Sequence, residues 1–88
     1  MYIDYLPTSL EHIETNQLDL GYNSIPYISL PHQSKLLFLS IYANRCRKLD
    51  LRYNVNLIHI CCWENELATI DLSNNPRITR LLISGNRL

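Results

Sequence analysis

Leu57-Ile58-His59-Ile60-Cys61-Cys62-Trp63-Glu64-Asn65-Glu66-Leu67 decides the fold. Its apolar residues stand at 57, 60, 62 and 67, with one asparagine at 65, and the same phase returns along the chain. Asn23, Asn44, Asn65 and Asn86 are each 21 positions apart. Five and three positions ahead of them come Leu18-x-Leu20, Leu39-x-Ile41, Ile60-x-Cys62 and Leu81-x-Ile83. Two positions after them come Ile25, Cys46, Leu67 and Leu88. Four asparagines with three apolar columns in phase mark an internal repeat, and repeats of this length mean a solenoid.

A second ladder lies half a period away. Ile28-x-Leu30, Leu49-x-Leu51 and Ile70-x-Leu72 lead to Gln33, Asn54 and Asn75. Alternating apolar residues place every second side chain on one face, which is the period of a strand. Leu36, Leu57 and Ile78 fill the corner between the ladders. One turn cannot enclose its own apolar columns, whereas stacking at about 4.8 Å per turn buries them against their neighbours. Where the chain bends, backbone groups lose their ladder partners, and each one left buried and unpaired costs roughly 1–3 kcal/mol. A carboxamide donates and accepts, so stacked asparagines at 23, 44, 65 and 86, with 54 and 75 in the second ladder, can satisfy those groups turn after turn. The connections are short and are punctuated by Pro7, Pro26, Pro31 and Pro76, which leaves little room for helix.

The motif Leu57-x-x-Ile60-x-Cys62-x-x-Asn65-x-Leu67 resembles the leucine-rich repeat. Ile70-Asp71-Leu72-Ser73-Asn74-Asn75-Pro76 is similar to the short 21-residue version of some bacterial surface and secreted proteins. The likeness covers roughly residues 15 to 88. Leu6-Pro7-Thr8-Ser9-Leu10-Glu11-His12-Ile13 resembles the LPxxLxxL element of bacterial effector repeats and of related giant-virus repeats, although Asn16 falls out of phase. Residues 1–14 are therefore read as a degenerate first repeat or N-terminal cap, and 15–88 as one repeat domain without an obvious C-terminal cap. The expected fold is a leucine-rich-repeat solenoid of the α/β horseshoe class, here mostly β. It has about four 21-residue turns, parallel strand ladders and a convex side of turns or 3₁₀ segments.

The bulk composition narrows the function. Eight basic residues balance eight acidic ones and form no run, so the phosphate attraction of a nucleic-acid binder is missing. No apolar stretch approaches the roughly 20 residues of a membrane span, and Met1-Tyr2-Ile3-Asp4-Tyr5 lacks the features of a secretion signal. Three cysteines suit a reducing compartment. The expectation is a cytoplasmic protein, in a host cytoplasm if it is delivered as an effector or viral protein.

Function on a repeat scaffold belongs to the residues between the apolar columns. In the first ladder these are Gln17, Phe38, His59, Arg80; then Asp19, Ser40, Cys61, Leu82; then Gly21, Tyr42, Trp63, Ser84; and a flanking Tyr22, Ala43, Glu64, Gly85. Phe38, Ser40, Tyr42, His59, Cys61, Trp63, Arg80 and Leu82 form the candidate partner-binding set. Large aromatics and arginine are enriched where proteins meet, and the strand face is where the resemblance implies partners sit. Exposed rings that merely cover the sheet are the plainer alternative. In the second ladder Asp50 and Asp71 stand near Lys48 and Arg52, open to reading as paired carboxylates or as a solvated face with local ion pairs.

Little else suggests chemistry. Cys61 and Cys62 point to opposite faces of a strand and cannot grip one metal together. Cys46 and Cys62 fill core columns, leaving Cys61 outward with His59 two positions back as a conceivable base. His12, His32 and His59 are scattered, and Gly21 and Gly85, the only glycines, make no phosphate loop. No enzyme activity, metal or cofactor is expected. The leading expectation is a module binding a protein partner, with neither nucleic acid nor membrane involved. A second is the substrate-recognition part of a larger effector-type enzyme, as in ubiquitin ligases with similar repeats, whose catalytic domain nothing here matches. A third is a self-assembling unit whose uncapped solenoid end invites a second copy.

Overall fold

The computed structural model describes residues 15–88; the cap read into residues 1–14, with His12, lies outside them. Six three-residue strands follow one another: β1 (Gln17–Asp19), β2 (Tyr27–Ser29), β3 (Phe38–Ser40), β4 (Lys48–Asp50), β5 (His59–Cys61) and β6 (Arg80–Leu82). They form two parallel sheets, one ordered β1-β3-β5-β6 and the other β2-β4. The chain is a mostly β solenoid that makes three full turns between β1 and β6, with no helix among the described residues.

Register follows the repeat without a slip. Leu18 faces Leu39, Leu39 faces Ile60 and Ile60 faces Leu81, while Ile28 faces Leu49 in the second sheet. A one-residue shift would turn every apolar side chain outward, so the columns lock the pairing. Leu39, Ile60, Ile28, Leu49 and the corner residues Leu36 and Leu57 are buried, as are Ile25, Cys46 and Leu67 beyond the asparagines. Leu81, Ile83, Ile70, Leu72 and Ile78 lie against this core but are only partly covered.

Asparagines close the first bend as the repeat requires. Asn65 donates from Nδ2 to the carbonyls of Ile41 in the turn before and of Cys62 and Trp63 in its own turn, at 2.9, 3.1 and 3.0 Å. Its Oδ1 accepts the backbone N–H of Asn44 at 3.0 Å and of Cys46 at 2.9 Å. Asn44 repeats the pattern toward Leu20, Ile41, Tyr42 and the N–H of Ile25. Asn86 repeats it toward Cys62, Ile83, Ser84 and the N–H of Leu67. Asn23 donates to Leu20 and Gly21 within its own turn.

The second bend is built differently. Two successive β-turns carry it, with Asn54 N–H donating to Leu51 and Leu57 N–H donating to Asn54; the same pair recurs at 30–36 and 72–78. Nδ2 of Asn54 donates to Leu30 and Gln33, and Nδ2 of Asn75 to Leu51 and Asn54. Gln33, one methylene longer, accepts the N–H of Thr15. Because those turns already use the local N–H groups, Oδ1 of Asn54 and of Asn75 is buried without a partner. The buried polar side chains among the described residues are Gln33, Asn44, Asn54, Asn65 and Asn75, all on the two ladders.

One feature departs from the sequence expectation, and another lay outside it. The third rung of the second ladder, around Ile70, does not pair as a strand with β4. Ile70 and Leu72 are half-buried where Leu49 and Leu51 are buried, so less apolar burial holds that segment extended. The first bend also places a column in the left-handed region: Tyr22, Ala43 and Glu64 at φ of 60°, 57° and 57°, with Gly85 at 73°. This turn lets the chain bend while the amides of Tyr22, Ala43 and Glu64 still donate to Tyr42, Trp63 and Ser84 in the next turn.

Candidate functional site

The outward residues of the first sheet stand in register. Gln17, Phe38, His59 and Arg80 form one row across β1, β3, β5 and β6; Asp19, Ser40, Cys61 and Leu82 form the next. Beyond the strand ends, Tyr42 and Trp63 make a third. Strand backbones stand about 4.8 Å apart, a distance at which neighbouring rings touch. Phe38 and His59 meet edge to face at 6.2 Å between centroids, and Tyr42 meets Trp63 likewise at 6.1 Å. Tyr22 extends the second group, its ring 5.1 Å from that of Tyr42. A hydrogen bond with the Tyr22 side chain raises the Tyr42 phenol above its ordinary range, assisted by the Tyr22 charge and by burial.

The result is a trough. Phe38 and His59 make one wall, and Tyr22, Tyr42 and Trp63 make the other. Between them lie two adjoining depressions of about 360 and 580 Å³, both floored by Asp19, Ser40 and Cys61. Phe38 is 42% exposed and Trp63 37%, so the rings present faces to solvent that their neighbours do not cover. Six of the eight sequence-selected residues, Phe38, Ser40, Tyr42, His59, Cys61 and Trp63, come together here. Arg80 and Leu82 share the register on β6, with Arg80 exposed and Leu82 half-buried.

Two residues of the trough were outside that set. Tyr22 sat in a flanking column; its backbone is left-handed and its ring meets that of Tyr42. A lone glycine in that column, Gly85, was the available signal. There an added Cβ would stand 2.5 Å from the Glu64 carboxylate. Asp19 ends the floor, with Oδ1 accepting the N–H of Gly21 at 2.9 Å.

The second sheet has a different character. Lys48 lies 5.8 Å above the Tyr27 ring, Arg52 lies 5.2 Å from the Tyr53 ring, and Arg52 pairs with Asp50 at 2.9 Å. A recess of about 350 Å³ contains Asp50 and Asp71. Desolvation pushes the Asp50 carboxyl up, but the Arg52 N–H and guanidinium and the Ser29 hydroxyl outweigh it and hold it low. Hydrogen bonds from the Ser73 side chain and N–H hold Asp71 low as well. An acid/base pair separates its two carboxyls by raising one; here both are stabilised as anions.

The thiols divide as their columns dictate. Burial pushes Cys46 up to about 11 and Cys62 up to about 12, so neither is a nucleophile at neutral pH. Cys61 is half-exposed on the trough floor, and no hydrogen bond joins it to His59, whose ring contacts Phe38. Among the described residues no three His, Cys, Asp or Glu side chains cluster as metal ligands, and no helix is long and apolar enough to cross a membrane. No family model, curated protein or solved structure matches the chain.

Proposed function

We propose that this solenoid is a protein-interaction module of leucine-rich-repeat type, without catalytic activity of its own, that holds a protein partner on its first-ladder face. The observation that carries the reading is the pair of aromatic walls, whose rings remain partly open although the apolar columns beneath them are closed. Partly exposed aromatics around a recess have the composition and form of an interface centre, where single side chains are worth about 2 kcal/mol or more. The ordered bend beneath the face supports it, since binding to a preformed surface loses less freedom than binding that must first order its loops.

Capture of a partner from extracts of the native cell tests this. The chain with alanine at Phe38, Tyr42 and Trp63 should lose a partner that the unaltered chain retains, and its melting temperature should fall by no more than a few degrees. Capture that survives all three substitutions excludes the face.

A further inference from the structure

Resting on the interaction reading, we infer that the occupant of the trough is a short extended segment of the partner, proline-containing and carrying a cation at one end and an anion at the other. Width comes first. Phe38 and Tyr42 are four positions apart and Tyr42 lies in the turn past β3, so the two walls stand at most about 13 Å apart between backbones, the fully extended limit at about 3.3 Å per residue. The rings take their share of that span. A helix with its side chains needs about 10–12 Å clear and would ride above the walls, whereas a single extended chain drops between them.

Length and floor agree. Asp19, Ser40 and Cys61 step along the stack at about 4.8 Å each, giving a floor of roughly 10 Å, and the larger Leu82 follows on β6. A polyproline II chain rises about 3.1 Å per residue, so one turn of three residues fills this floor. The floor side chains are small, and the Ser40 hydroxyl and Cys61 thiol can meet the solvated carbonyls such a chain keeps along its length. Its pyrrolidine rings would lie against Phe38 and His59 on one side and Tyr42 and Trp63 on the other. Aromatic-lined grooves suit proline-rich chains because such chains are already extended before they bind.

Charge gives the segment its ends. Asp19 closes the trough at β1, and exposed Arg80 stands at β6 on the Phe38 side, while the Glu64 carboxylate sits across from it beside Gly85 on the Tyr42 side. A segment with arginine or lysine toward Asp19 and a carboxylate toward Arg80 complements both.

Trp63 is the sole tryptophan, so its emission reports on the trough directly. The full chain is titrated with two acetylated, amidated peptides, RPPPPE and EPPPPR, since a polyproline chain can enter a groove in either direction. RAAAAE serves as the control. At least one proline peptide should shift the emission saturably, while the alanine peptide should not. Asp19→Asn should weaken that binding by about 1.5- to fivefold, the range of an exposed ion pair. Ser40→Trp, read by peptide-detected NMR, should block the floor and abolish binding, and Phe38→Ala tests the wall should Ser40→Trp not fold.

Absence of saturation by either peptide up to millimolar concentration overturns the inference, as does equal binding of the alanine peptide or full binding by the Ser40→Trp and Phe38→Ala variants. If the peptides fail while partner capture still depends on Phe38, Tyr42 and Trp63, the trough occupant is wrong and the interaction face stands. If capture ignores those residues, both fall.

Discussion

Ala43 holds a φ of 57° in a bend where its amide still donates to Trp63. An L-residue in that region bears roughly 1–2 kcal/mol of steric cost, and glycine escapes it while losing about 0.5–1 kcal/mol more entropy on folding. Ala43→Gly should therefore stabilise the chain by about 0.5–1 kcal/mol in urea melts. Gly85→Ala should destabilise it by about 1 kcal/mol, because its φ is 73°, while the exposed Glu64 side chain can swing clear of the new methyl. Nothing in the letters Tyr22, Ala43 and Glu64 announces this conformation, since none is a residue that favours it. The asparagine one place further on was legible because its chemistry, donor and acceptor together, is needed at every turn. Backbone shape left one mark, the glycine at position 85 of the same column.

At the scale of the element, the two ladders show why one part of the reading held and another did not. L-x-L triplets specified β1 to β5 and their register, because a slip of one residue would expose the core. The rung at Ile70 carries the same triplet yet does not pair, because pairing depends on how much neighbouring surface covers it as well as on pattern. Cys62, just past β5, and Cys46 read as core fillers from their columns, and burial sets their titration. Their folded-state acidities are shifted to higher pH, so the stability they give is complete below the ordinary thiol range. It is lost as pH rises from that range toward about 11 for Cys46 and about 12 for Cys62. Between pH 7 and pH 10 the urea midpoint of the unaltered chain should drop more than that of the Cys46→Ala, Cys62→Ala double variant. Equal drops would mean that the buried thiols make no contribution to the pH dependence.

In the whole molecule, each turn touches only the turns beside it, so cohesion is the sum of the contacts between neighbours. Apolar columns give most of that cohesion and are indifferent to which turn lies above which. The asparagines add the specific links, because the carboxamides of Asn44, Asn65 and Asn86 each accept from the turn before and donate both to that turn and to their own. The aromatic walls inherit their spacing from this stack, which explains how a set chosen from the sequence came together so nearly complete. Tyr22, in the bend, and Asp19, at the end of the floor, emerged only with the structure. Urea denaturation of three single variants puts the stack to the test. Asn65→Leu strands the N–H groups of Asn44 and Cys46 and should cost about 3–5 kcal/mol. Asn54→Leu gives up two donated bonds and relieves an unpartnered oxygen, so it should cost less. Exposed Asn74→Leu should change stability by under about 0.5 kcal/mol. That order, with Asn65 far above Asn74, is the predicted result; equal losses at positions 65 and 74 would contradict it.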